Sequence, residues 1–159
     1  METVTSGDGT PIAYERTGEG PPLVLVHGIV STHRGWELVL PELQRRFTAY
    51  AMVRRGRGES DDAGAEYSLE REVEDVLALI DSTREGPVSL LGHSHGAILA
   101  LEAALRRADR VRRLVLYEGH MPLPEGVRMF PPEAVADIRS RLRAGDEEGA
   151  LLTFYRDVV

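Results

Sequence analysis

A serine stands between two glycines where residues 92–96 read Gly-His-Ser-His-Gly. Residues 88–91 before this run are typical of a buried strand, and residues 97–101 after it are typical of a helix. A serine in a strained strand-to-helix turn presents its hydroxyl above the sheet, and flanking glycines avoid clashes in so tight a bend. The pattern therefore predicts that Ser94 is a nucleophile that attacks a carbonyl carbon. The alternative is a small buried serine in an ordinary turn.

Such a serine needs three kinds of partner. The backbone N–H of His95 is expected at the start of the helix, where unpaired donors can bind the oxyanion of a tetrahedral intermediate. Ser94 also needs a base within hydrogen-bond reach, and a histidine base needs a carboxylate that holds its tautomer. The flanking histidines, His93 and His95, are expected to point away from Ser94 or to line its pocket.

Alternating strands and helices surround this turn. Strand-like runs at 2–5 and 12–16, with a turn signal at Asp8-Gly9, predict an N-terminal hairpin. Further strands are predicted at 23–26, 48–53, 87–91 and 111–117. Three helices are predicted, one at 34–46, one that begins after Ser68 as its N-cap, and one at 97–107. This order predicts an α/β fold with a mostly parallel sheet between two helical layers, a three-layer α/β/α architecture.

The character of the chain changes after residue 117. Residues 118–132 contain four of the nine prolines and are expected to form a linker or loop. Pro131 or Pro132 can open a helix, and a second helix is predicted from Ala150 onward. We therefore expect one domain at residues 1–119 and a helical segment at residues 120–159.

Composition excludes several classes of function. The chain has no cysteine, which excludes disulfides, thiolate metal sites and a cysteine nucleophile. Its net charge of −7 argues against nucleic-acid binding, and the basic clusters at 54–57 and 106–107 are expected to be solvated charge. No apolar run is long enough to cross a membrane, and the N-terminus lacks signal-peptide features. A cytoplasmic protein is expected.

Several segments resemble the α/β-hydrolase family with a serine nucleophile. These are the turn around Ser94, the His27-Gly28 pair after a buried strand, the Arg-Arg-Gly-Arg-Gly-Glu-Ser loop at 54–60 and the strand end at 114–118. The resemblance covers residues 1–120 strongly and residues 121–159 as the start of a helical cap. It implies an incomplete α/β-hydrolase fold, with the backbone N–H of Ile29 as a second oxyanion donor.

The sequence departs from the family pattern at two points. Related sequences often carry an acidic residue before the 54–60 loop, but this chain has Val53, so weaker polar support for the loop is expected. In the family the acid usually follows the next sheet strand, and the catalytic histidine follows the last strand. Neither strand is present here, so the base and the acid are expected to be missing. Glu118 as acid and His120 as base are the alternatives within the chain, because both follow the strand expected beside Ser94.

Four further residues are expected near the substrate. His27 and Gly28 are expected to shape the oxyanion loop and to contact substrate. Trp36 and Met121 are candidate pocket residues. Packing alone is the favoured role of Trp36, and Met121 can equally serve to anchor the cap.

The leading functional interpretation is hydrolysis of a small ester, thioester or lactone through an acyl-enzyme. The partner is then a small-molecule acyl substrate, and no metal or organic cofactor is implied. One alternative is a catalytically inactive, truncated hydrolase that folds by oligomerisation, because strand 111–117 would be an open apolar edge. A homo-oligomer is expected if the chain is stable. Another alternative is a carbon–carbon bond hydrolase or a cofactor-free haloperoxidase-like enzyme.

Overall fold

The computed structural model describes residues 1–60, 67–119 and 130–157. The chain divides into two compact units, Met1–His120 and Met121–Val159. The first unit holds the sheet and the turn at Ser94.

A six-stranded sheet forms the first unit. Its strands are β1 (Glu2–Thr5), β2 (Pro11–Thr17), β3 (Pro22–Val26), β4 (Thr48–Met52), β5 (Val88–His93) and β6 (Val111–Tyr117), in the spatial order β1-β2-β4-β3-β5-β6. The predicted hairpin of β1 and β2 is antiparallel, and β2 also pairs antiparallel with β4. The strands β4, β3, β5 and β6 are parallel to their neighbours. The predicted mostly parallel sheet is therefore confirmed.

Helical segments cover both faces of the sheet. Strand β3 is buried on both sides, with Val24 in the larger core cluster and Leu25 in the smaller one, because successive side chains of a strand point to opposite faces. Helices α2 (Leu69–Ser82) and α3 (His95–Arg106) contribute to the larger cluster. Trp36 and the segment after it contribute to the smaller one. This arrangement is the predicted three-layer architecture.

The helix predicted over residues 34–46 is wrong as a single element. The structure has a 3-10 helix at His33–Trp36 and a four-residue helix α1 at Leu40–Leu43. Pro41 explains the break, because proline has no N–H and its ring clashes with the carbonyl four residues earlier. It is tolerated in the first turn of a new helix, which is where it lies in α1.

Helix α2 begins at the predicted cap. Ser68 has an extended backbone, and its hydroxyl accepts a hydrogen bond from the N–H of Arg71 at 3.2 Å. Val73, Val76 and Ile80 are buried as the apolar periodicity predicts. The same helix also buries two carboxylates, which the periodicity alone does not explain.

The second unit contains two helices, α4 (Pro132–Arg143) and α5 (Glu147–Asp157). Gly145 ends the connection after α4 with φ 75°, and the Asp146 carboxylate accepts from the N–H of Gly149 in the first turn of α5. Thr153 donates to Asp137 at 2.8 Å and so links the two helices. Helix α5 begins three residues before the predicted Ala150. None of the described helices is both long and apolar enough to cross a membrane.

Candidate active site

Ser94 occupies a strained turn between β5 and α3. Its backbone has φ 53° and ψ −121°, a conformation that non-glycine residues rarely adopt. Such a residue costs about 1–3 kcal/mol and persists only where its surroundings hold it. The N–H of Ser94 donates to the carbonyl of Tyr117 in β6, and the carbonyl of Ser94 accepts from Ala97 in α3, both at 2.9 Å. The predicted strand-to-helix turn is therefore present.

Three glycines let the surrounding backbone approach this turn. A Cβ atom on Gly92 would lie 2.6 Å from the Cα of Ala97, and one on Gly96 would lie 2.5 Å from the carbonyl oxygen of His27. A Cβ atom on Gly28 would lie 3.3 Å from the Cβ of Ser94. Gly92 and Gly96 thus allow backbone contacts that a Cβ atom would block, and Gly28 lies close beside the Ser94 side chain.

His27 supports the loop after β3 from inside the protein. It is 1% exposed, and its Nε2 accepts a hydrogen bond from the backbone N–H of Arg54 at 3.1 Å. Nδ1 must then carry the proton, which it donates to the carbonyl of Gly28 at 2.9 Å. Burial lowers the pKa of His27 to about 4, so the ring is neutral at pH 7. The ring shapes the loop as expected, whereas the suggested contact between His27 and substrate is incompatible with its burial.

The two expected oxyanion donors have no competing partner in residues 1–60, 67–119 and 130–157. The N–H groups of Ile29 and His95 make no backbone hydrogen bond there. His95 is the first residue of α3, where the helix itself offers no acceptor for that N–H. Gly28, the residue before Ile29, leaves so little space that an added Cβ would lie 3.3 Å from the Cβ of Ser94, so the loop that carries Ile29 lies beside the turn.

Glu118 follows β6 and bonds to a histidine, although not to one that bonds Ser94. Its Oε2 lies 3.1 Å from Nε2 of His93, and its own φ is 51°. The His93 ring stacks on Tyr117 at a centroid distance of 5.1 Å and meets the edge of Trp36 at 6.4 Å. The expected proximity of Glu118 to the Ser94 turn is observed through His93. His120 and Met121 lie outside the described residues.

Trp36 belongs to the smaller of the two core clusters. It is 8% exposed and lies in the smaller cluster with Leu25 and Ala51. Its Nε1 has no hydrogen-bond partner in the described part of the chain. Packing, one of the two roles expected for Trp36, accounts for this placement.

Two arginines that were expected in a solvated loop, Arg54 and Arg55, are fully buried. Arg54 Nε lies 2.8 Å from Oε1 of Glu72, and Arg55 Nε lies 2.7 Å from Oδ2 of Asp75. Buried charges require an opposite charge and hydrogen bonds in place of water. The expectation of solvated charge is therefore wrong for these two residues. The signal that sequence reasoning missed is the presence of Glu72 and Asp75 among the apolar positions of α2.

Polar support for this loop does not need an acidic residue at position 53. Val53 is buried, and its carbonyl accepts from the hydroxyl of Ser60 at 2.6 Å. The same hydroxyl accepts from the N–H of Ala13 in β2 at 2.8 Å. The weaker support expected from the sequence is thus wrong, because Ser60 and the buried arginines hold the loop.

The Glu72 carboxylate is shared by residues from three segments. Oε2 accepts from Nη2 of Arg54 at 2.8 Å, from the hydroxyl of Tyr67 at 2.6 Å and from Nε2 of His95 at 3.0 Å. Burial by itself raises the pKa of Glu72, but hydrogen bonds from His95, Arg54 and Tyr67 outweigh burial and hold the pKa at about 2. Glu72 is therefore ionised at neutral pH.

Metal chemistry has no obvious ligand set in this region. Among the residues that the structure describes, no group of three or more His, Asp or Glu side chains is arranged to hold a metal ion.

The fold and the turn at Ser94 define a class, and comparison with known proteins identifies it. The chain matches the alpha/beta hydrolase family over residues 23–158 and belongs to that family. It is 38% identical to an alpha/beta hydrolase of Sphaerobacter thermophilus whose crystal structure is known, with a TM-score of 0.86 over 99% of this chain and 60% of that one.

Two curated relatives are named as hydrolases of small molecules. The 2-(acetamidomethylene)succinate hydrolase of Mesorhizobium japonicum is 32% identical over 134 residues, which are 82% of this chain and 44% of the relative. The 2-hydroxymuconate semialdehyde hydrolase of a Pseudomonas strain is 34% identical over 118 residues, which are 70% of this chain and 42% of the relative. The chain thus spans less than half the length of these relatives.

Proposed function

We propose that the protein is a serine hydrolase in which Ser94 attacks a carbonyl carbon. The observation that carries this proposal is the strained backbone of Ser94 at the N-terminus of α3. Strain of this kind is retained at functional sites because it positions a reacting group. A small buried serine would need neither the strain nor the close approach of the Gly28 loop.

The chemistry follows from the groups around Ser94. A base takes the hydroxyl proton, Oγ bonds to the carbonyl carbon, and the carbonyl π electrons move onto oxygen. The N–H groups of Ile29 and His95 bind that oxyanion. Its collapse re-forms the carbonyl and breaks the bond to the leaving group, which takes a proton from the protonated base. Water then releases the acyl group from Ser94.

The base is a histidine outside residues 1–159 in this proposal. The two histidines beside Ser94 are engaged elsewhere, His93 with Glu118 and His95 with Glu72. The relatives are more than twice as long as the matched region, which leaves room for a histidine on a later strand. Glu118 is the candidate acid. Its carboxylate would have to give up its hydrogen bond with His93 and bind that histidine instead. His120 as base stays a prediction.

For the substrate, we infer a small carboxylate-bearing carbonyl compound cleaved at a carbon–carbon bond. The name of the semialdehyde hydrolase supports this class, and the name of the succinate hydrolase supports a small acidic substrate. The relatives therefore favour the carbon–carbon alternative over the simple ester that the sequence suggested. Arg57 is 25% exposed and lies 3.4 Å from the carbonyl of Ile29, which places a cation beside the proposed oxyanion site.

The test uses the protein expressed from its complete reading frame. Turnover of 2-hydroxymuconate semialdehyde and of a p-nitrophenyl ester is measured for the wild type, Ser94→Ala and Ser89→Ala. Ser89 lies on β5, five residues before Ser94, and serves as the matched control. We expect Ser94→Ala to lose at least about 1,000-fold in kcat, as nucleophile removal does, and Ser89→Ala to keep its activity.

Labelling by a fluorophosphonate gives a second readout. Mass spectrometry should find the adduct on Ser94 and should find none in Ser94→Ala. Full activity of Ser94→Ala would reject the proposal. Faster turnover of the ester than of the semialdehyde would reject the substrate class while leaving the nucleophile in place.

A further inference from the structure

The carbonyl of Gly28 is held by two donors. Nδ1 of His27 donates to it at 2.9 Å, and Nη1 of Arg54 donates to it at 2.8 Å. The described chain has no cis peptide bond, so the N–H of Ile29 points opposite to this carbonyl in the same planar peptide. Fixing the direction of the Gly28 carbonyl therefore fixes the direction of the Ile29 N–H.

The guanidinium of Arg54 is held in its orientation by Glu72. Its Nε and Nη2 bind the two oxygens of Glu72, both at 2.8 Å, in the bidentate geometry that the planar guanidinium favours. Its own backbone N–H donates to His27. The Nη1 group that reaches Gly28 is thus aimed by the carboxylate on the opposite edge of the guanidinium.

The same carboxylate reaches the other side of the oxyanion site. Oε2 of Glu72 lies 3.0 Å from Nε2 of His95, the first residue of α3. Because a carboxylate only accepts hydrogen bonds, His95 donates from Nε2 to Glu72. One side chain of α2 therefore connects the Gly28–Ile29 peptide, through Arg54, with the residue that supplies the second backbone donor.

We propose that Arg54 and Glu72 are positioning residues that hold the N–H groups of Ile29 and His95 in place for one oxyanion. This inference rests on the serine hydrolase function proposed above. Neither residue touches substrate, since Arg54 is 0% and Glu72 1% exposed. Their effect is on the transition state, where the charge on oxygen develops, and not on the binding of the ground state.

The neighbouring ion pair offers a matched control. Arg55 and Asp75 lie one residue along the loop and one turn along α2, and they are equally buried. Arg55 bonds Asp75, Asp8 and the carbonyl of Arg71, all away from Gly28 and His95. Loss of this pair costs stability in the same part of the fold without releasing either oxyanion donor.

The experiment compares Glu72→Gln with Asp75→Asn in the protein expressed from its complete reading frame. We expect both variants to lower Tm by similar amounts. Glu72→Gln should lower kcat about 10- to 100-fold with KM changed less than about threefold, because a misplaced donor weakens transition-state binding alone. Asp75→Asn should keep kcat within about threefold of the wild type.

NMR of the 15N-labelled 159-residue chain adds a readout independent of turnover. The amide signals of Ile29 and His95 should shift in Glu72→Gln and stay in place in Asp75→Asn. If the carboxamide variants do not fold, Arg54→Lys against Arg55→Lys gives the same comparison, because lysine cannot bind Glu72 in two places and reach Gly28 as well.

The positioning role would be overturned if Glu72→Gln and Asp75→Asn, or Arg54→Lys and Arg55→Lys, lost kcat equally. A change confined to KM would overturn it as well. Ser94→Ala separates this failure from a failure of the proposed function. If Ser94→Ala is inactive while Glu72→Gln behaves like Asp75→Asn, only the positioning role is rejected. If Ser94→Ala is fully active, the serine mechanism itself is rejected.

Discussion

The N–H of Ser94 donates to the carbonyl oxygen of Tyr117 at 2.9 Å. This bond ties the turn that carries the proposed nucleophile to the last residue of β6, the strand beside β5. On the other side of the turn, Gly28 approaches the Cβ of Ser94. The strained backbone of Ser94 is therefore hydrogen-bonded to β6 on one side, and the loop after β3 packs closely against its side chain on the other.

Close backbone packing around the turn predicts that Gly96→Ala is strongly destabilising. The new Cβ would collide with the carbonyls of Val26 and His27, and overpacking of this kind costs about 1–3 kcal/mol or more. Urea denaturation measures the loss. Gly7→Ala is the control, because its Cβ would meet only the Glu74 side chain at 3.8 Å. Equal stability of the two variants would contradict this packing.

The buried neutral ring of His27 predicts a pH dependence of stability. Its pKa falls from 6.5 to about 4 on folding, so the unfolded state binds a proton first as the pH falls. The stabilisation is present above pH 6.5 and is lost between about pH 6.5 and pH 4. Linkage gives a loss of about 2 kcal/mol between pH 7 and pH 5 for this group.

His27→Gln isolates that contribution from the other histidines. The free energy of unfolding is measured by urea titration at pH 7 and pH 5 for both proteins. The difference between the two pH values should be about 2 kcal/mol smaller in the variant. An identical pH dependence would mean that His27 does not titrate in this range.

The cap at the start of α2 predicts a loss of stability in Ser68→Ala. The hydroxyl of Ser68 satisfies the N–H of Arg71, and removing such a cap costs about 1 kcal/mol. Asparagine caps about as well as serine, so Ser68→Asn should retain most of the stability in thermal unfolding. A loss in Ser68→Asn equal to that in Ser68→Ala would exclude capping as the cause.

The exposed side of β6 predicts that the 159-residue chain self-associates. Among the described strands β6 pairs with β5 alone, and Val115 and Tyr117 on it are 51% and 56% exposed. Open apolar edges tend to pair with a second chain. Sedimentation should show dimers or larger species in the wild type and fewer in Val115→Lys. Leu38→Lys, which replaces an apolar side chain 95% exposed outside the sheet, should leave association unchanged.

A monodisperse monomer at high protein concentration would contradict that prediction. Association through the edge of β6 would support the alternative that the 159-residue chain by itself is a catalytically inactive oligomer. Turnover by the 159-residue chain that depends on Ser94 would exclude such an inactive state.

Local patterns were sufficient for most of the fold. The alternation of apolar strands with helices predicted the sheet and its two covering layers. The apolar repeats of a strand and of a helix are both visible within about ten residues, so they can be recognised locally. The Gly-His-Ser-His-Gly run predicted the strained turn at Ser94 because Gly92 packs against the backbone of Gly96 and Ala97 within the same turn. The contact of Gly96 with Val26 and His27 depends on the fold. The helix over 34–46 failed because the apolar period was followed through Pro41.

The sequence by itself determined the order of the strands along the chain, the strand-to-helix turn and the serine that this turn presents, Ser94. Only the tertiary structure decided which charges are buried, how His27 is protonated and where Glu118 reaches. Arg54 and Glu72 are 18 residues apart, and their pairing depends on how α2 crosses the loop after β4. Charge burial is a balance between lost hydration and the partners that the whole fold brings together, so a local pattern does not contain it.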